Sequence, residues 1–92
     1  MIQYTPPSTE DLAKLKGELG YSGEQMAELA SVSNGAQWRK YTGGTDPRSL
    51  NMHILFFMAA RLTLAPEELA RVQAKMRAIG AQVDTFELKS PR

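Results

Sequence analysis

The sequence predicts an all-α domain, a compact bundle of four to five helices, and three observations carry that prediction. Apolar residues recur at three- and four-residue spacing along most of the chain, and Gly, Pro and small polar caps interrupt the pattern at short intervals. Alternation of period two is confined to Ala81–Leu88, where a short C-terminal strand is the one non-helical element expected. At 92 residues the chain builds one core and not two, because smaller units bury too little surface. Residues 8–64 are expected to form that core, with an additional helix over 65–80 and a tail over 81–92, the last two available for dimerisation.

Each helix has a start and a stop that can be read locally. Thr5-Pro6-Pro7 is a stiff lead-in, and Ser8 with Asp11 three residues on satisfies free amides, so the first helix starts near Thr9. Leu12, Leu15 and Leu19 share one side of it, and Gly20 stops it. Ser22 with Gln25 repeats the cap, and Met26, Ala27, Leu29 and Ala30 give a short apolar face ending near Ser31. The run from Ser31 to Gly35 is a tight turn. A third helix then spans roughly Gly35 to Thr42, with Trp38 and Tyr41 on one face.

Gly43-Gly44-Thr45 breaks that helix, and Asp46 as cap with Pro47 at the first helical position starts a fourth, expected from Pro47 to about Thr63. Leu50, Ile54, Leu55, Phe57, Met58 and Leu62 make it the central helix on which the others pack. Pro66, Glu67 and Glu68 open a fifth helix that Gly80 closes. Its stripe of Leu69, Val72, Met76 and Ile79 is expected to complete the core or to meet a second subunit.

Composition excludes several function classes. There is no Cys, and the lone His53 cannot assemble a metal or catalytic centre, so no cofactor and no enzyme activity are expected. Glu67 and Glu68 are adjacent on a helix and point in different directions, which suits a helix start and not acid–base catalysis. Trp38 with Tyr41, and Met26, Met52, Met58 and Met76, are read as core filling and not as a ligand groove; no small-molecule ligand is expected. The stretch Met52–Ala60 is too short to span a membrane, and Met1–Pro7 lacks the apolar region of a signal peptide, so a cytoplasmic location without membrane contact is expected. The net charge of +1 says nothing of a nucleic-acid partner, but its distribution does. Glu10, Asp11, Glu18, Glu24 and Glu28 crowd the first third, whereas Arg39, Lys40, Asp46, Arg48 and Arg61 occupy the segment from Gly35 to Leu64; on charge alone these read as solvated surface charges, with a phosphate-facing surface as the competing reading.

Two short helices joined by a tight turn, preceded by one helix and followed by a longer apolar one, resemble the lambda-repressor-like, Cro/XRE-type helix-turn-helix family. The resemblance covers about residues 8–64 and lies in Tyr21-Ser22-Gly23-Glu24-Gln25-Met26-Ala27-Glu28-Leu29-Ala30, then Val32-Ser33, Trp38 and Gly44. Small Ala27 would let two helices cross closely, Val32 would plug the turn and Trp38 would anchor the second helix of the motif. The chain departs from the family by carrying Ser31 where a Gly is usual and Gly23 where a phosphate-binding Gln is usual. Its turn is also one residue longer, which requires Trp38, and not Gln37 or Lys40, to point inward.

The resemblance implies a sequence-specific transcriptional regulator that reads double-stranded operator DNA as a homodimer. It implies base readout by Asn34, Gln37 and Arg39, residue types that pair with adenine or guanine edges. It implies phosphate contacts from Ser22, Gln25, Ser33, Lys40, Thr42 and Arg48. The competing reading is a protein-interaction module on the same scaffold, an inhibitor or adaptor, which the near-neutral charge and the missing Gln favour.

Overall fold

In a computed structural model, which describes residues 1–84, the protein is all-helical. The helices are α1 (Thr9–Leu19), α2 (Gly23–Ala30), α3 (Gly35–Thr42), α4 (Met52–Thr63) and α5 (Pro66–Ile79), with no strand among the described residues. Residues 81–84 of the expected C-terminal strand are non-regular, and its remainder, with Phe86 and Leu88, lies outside the described residues.

Local chemistry explains the helix ends. Ser8 Oγ accepts from the Asp11 amide and the Asp11 carboxylate accepts from the Ser8 amide, both at 3.0 Å. Hydrogen bonding to the carboxylate, by the backbone amide of Ser8 first and its hydroxyl second, holds the Asp11 carboxyl below its ordinary value. Gly20, at φ 68°, turns the chain left-handed and donates to the Lys16 and Gly17 carbonyls, which ends α1. At the start of α5, Glu68 Oε1 accepts from the Ala65 amide at 2.7 Å and Pro66 occupies the first turn.

The core gathers Leu12, Tyr21, Met26, Ala27, Leu29, Ala30, Trp38, Leu50 and Met58, with Leu15, Leu19, Val32, Tyr41, Ile54, Leu55 and Leu62 packed against it. The consecutive pair α2–α3 is the most closely associated, and α4 packs on α2 and α1 on α3. Ala27 is buried in α2, and Val32, in the turn after it, packs half-buried against the core.

Three expectations require correction. The fourth helix does not start at Pro47: Asn51 is its cap, accepting from the Ile54 amide at 2.9 Å, and residues 43–51 form a loop. Two bonds draw that loop over the body, Arg48 N–H to the Lys40 carbonyl at 2.7 Å and, from much farther along the chain, Tyr4 O–H to the Leu50 carbonyl at 2.7 Å. Leu50 is thus a core residue supplied by a loop, and tertiary burial overrides the Asp46-Pro47 start signal. The second correction concerns α5, whose inward line is Leu69, Gln73 and Met76. Val72 and Ile79 face outward.

The third correction is Arg61. It does not lie on a phosphate-facing surface but is buried, donating through Nη1 to the Glu28 carbonyl at 2.8 Å and the Leu29 carbonyl at 3.2 Å. Its guanidinium also stands 5.4 Å from the centre of the Phe57 ring. The residue therefore supplies donors and positive charge to the carbonyl-rich end of α2.

Candidate nucleic-acid interface

The candidate interface starts from how α2 and α3 are anchored. Ser22 and Gln25 exchange reciprocal bonds, Gln25 N–H to Ser22 Oγ at 3.2 Å and Ser22 N–H to Gln25 Oε1 at 2.7 Å. Ala30 is followed by Ser31 in the left-handed region (φ 58°, ψ 39°), the only non-glycine with positive φ among the described residues. The Val32 amide then returns to the Ala27 carbonyl at 2.9 Å. Asn34 caps α3, its Oδ1 accepting from the Gln37 amide at 3.0 Å. From across the turn, Glu24 Oε2 accepts from the Gly35 amide at 2.8 Å.

The indole of Trp38 points inward, at 1% exposure, with Tyr41 tilted beside it at a ring separation of 6.1 Å and 54°. That orientation fixes the rest of α3. Ala36, Arg39 and Lys40 are exposed, and Gln37 and Thr42 are half-buried on its flanks. The Arg48–Lys40 backbone bond brings the loop after α3 alongside it. The result is an open cleft of about 550 Å³ lined by Ala36, Arg39, Lys40, Gly43, Gly44, Thr45, Asp46 and Arg48. Three cations meet one carboxylate there.

The expected site residues therefore do not form one surface. Arg39, Lys40 and Arg48 converge on the cleft, whereas Gln25 and Ser33 line a separate depression with Glu24 and Glu28, an acidic setting less suited to phosphate. Ser22 and Asn34 have their side-chain oxygens engaged by helix amides, so Asn34 offers a base only its remaining valences. Gln37 stays on the flank of α3 between Trp38 and the exposed face.

Sequence reasoning missed two residues that shape this surface. Glu24 was one of several acids in the first third, and nothing local announces a bond to an amide eleven positions on. Arg61 did carry a signal, since with Ile54 and Met58 it completes an i, i+4, i+7 line on the inward side of α4. No helix among the described residues is long and apolar enough to cross a membrane, and no group of three or more His, Cys, Asp or Glu among them is arranged to hold a metal ion. Comparison with known proteins finds no matching family model, no matching curated protein and no matching solved structure.

Proposed function

We propose that the chain is a sequence-specific DNA-binding transcriptional regulator, working as a homodimer, whose α3 enters the major groove while Lys40 and Arg48 hold phosphates. The observation that carries this reading is the burial of Trp38, which leaves Ala36, Arg39 and Lys40 on one open side of a short helix beside Arg48. A helix presented in this way, with its start closest to the bases and cations along its flank, matches what groove docking demands. Arg39 is the strongest readout candidate, because a guanidinium pairs bidentately with guanine. Gln37 and Asn34 contribute from the flank and the start of the helix. Val72 and Ile79, exposed on α5, are the apolar surface offered to a second subunit.

Binding of duplex DNA at two salt concentrations tests the reading. With two phosphate contacts per subunit, a dimer releases roughly four counterions, and affinity should weaken about a hundredfold between roughly 50 and 200 mM salt. Lys40→Ala should weaken all sequences alike, whereas Arg39→Ala should flatten the preference among sequences. No duplex binding at micromolar protein in low salt would end the proposal. That outcome would favour the second reading, a protein-interaction module, which the exposed Phe56 of α4 supports.

A further inference from the structure

The start of α3 carries an arrangement that the DNA-binding reading does not use. Glu24 reaches from α2 across the turn, and its Oε2 accepts from the Gly35 amide at 2.8 Å. Gly35 is buried, and a side chain there would push aside the ends of two others. A Cβ at that position would lie 2.5 Å from Glu24 Oε2, 3.3 Å from its Cδ and 3.3 Å from Arg39 Nη1. The Arg39 guanidinium thus folds back from the second turn of α3 over the same bare patch of backbone, and Nη1 lies 3.5 Å from where a Cβ on Gly23 would stand. Two glycines at two helix starts leave the space that one guanidinium and one carboxylate share.

We infer that Glu24 is a positioning residue for Arg39: its carboxylate ties the start of α3 to α2 and, by its charge, holds the guanidinium back toward that start. The inference rests on the DNA-binding reading and adds to it the residue that aims its main readout group. Base edges are met by the first turn of a recognition helix, while Arg39 belongs to the second. A long, flexible side chain left to itself samples many rotamers and loses entropy on binding. A carboxylate at the first turn restricts it to the direction that is read. The same carboxylate keeps one negative charge at the surface where DNA would approach, so it also opposes binding of duplexes that offer Arg39 no guanine.

Glu24→Gln separates the two parts of this role, because the amide oxygen can still accept from Gly35 while the charge is gone. The test is a double-mutant cycle with Glu24→Gln and Arg39→Ala, read as the ratio of affinities for a selected site and for random duplex, with hydrogen exchange of the Gly35 amide followed alongside. In Glu24→Gln the Gly35 amide should stay protected. Affinity for random duplex should rise a few-fold, and the discrimination ratio should fall by about tenfold, the scale of one bidentate contact. In the Arg39→Ala background the same substitution should leave the ratio unchanged.

Independent, multiplicative losses of discrimination from the two substitutions would overturn the inference while leaving the DNA-binding reading intact. So would an unaltered ratio in Glu24→Gln with the Gly35 amide still protected. Loss of that protection in Glu24→Gln would trace the effect to the helix contact and not to the charge, which also overturns it. A wild-type chain that binds no duplex removes the reading and the inference together.

Discussion

Helices α2 and α3 have eight residues each and are held in opposite ways. Half of α2 is buried, through Met26, Ala27, Leu29 and Ala30, and its ends are closed by the Ser22–Gln25 box and by Arg61 from α4. In α3 only Gly35 and Trp38 are buried. One is a residue without a side chain and the other is the largest side chain available, so the fully buried anchor of α3 is a single ring, with Tyr41 packed half-buried beside it. A helix that must keep one side open can afford few inward positions, and concentrating the anchor in an indole leaves Ala36, Arg39 and Lys40 free.

Removing that ring should break the contrast most severely. Trp38→Ala is expected to cost about 3–5 kcal/mol, a large share of the stability of a small domain. Chemical denaturation measures the loss, and amide exchange should rise in α3 before α2. Equal exchange in both helices would mean that they come apart as one unit. Arg61→Met comes next, because it keeps the apolar stem but removes the guanidinium bonds to the Glu28 and Leu29 carbonyls, at about 1–3 kcal/mol. Its exchange signature should fall on the last turn of α2; a loss confined to α4 would contradict the capping role.

The same contrast explains what could be read in the sequence. The starts of α1, α2 and α5 and both bounds of α3 follow from caps, a tight turn and glycines, all chemistry within four residues of itself. The inward Trp38 was legible too, because the alternative register would bury the amide of Gln37 and the ammonium of Lys40. The start of α4 was not, since Asp46-Pro47 is a sound local signal overruled by bonds made outside its own turn, from the Arg48 amide back to the Lys40 carbonyl and from the distant Tyr4 hydroxyl to the Leu50 carbonyl. The cationic side of the site was half legible: Arg39, Lys40 and Arg48 converge, but Arg61 points inward and Ser33 faces acids. Charge along a chain does not reveal which cations a neighbouring helix takes for its carbonyls.

Asn34 allows a smaller and sharper test. Its oxygen caps α3, so Asn34→Ala should cost about 1 kcal/mol, whereas Asn34→Asp should keep stability because aspartate caps equally well. Under the proposed DNA binding, the added negative charge at the start of α3 should lower duplex affinity several-fold without any loss of stability. An Asn34→Asp protein that binds DNA as before would place Asn34 away from the nucleic acid.

Ser31 is expected to give the smallest effect, and one of opposite sign. It closes α2 at φ 58° and ψ 39°, a conformation that costs an L-residue roughly 1 kcal/mol and that glycine adopts freely. Glycine also gains more freedom in the unfolded chain, which offsets part of the benefit. Ser31→Gly should therefore stabilise by about 0.5 kcal/mol, which is a rise of roughly 2–4 °C in Tm for a domain of this size. Ser31→Ala should give no gain, because its Cβ meets the same steric resistance. If glycine lowered Tm instead, the Ser31 hydroxyl would have to stabilise the turn by more than the strain, and the serine would be a working part of the α2–α3 junction.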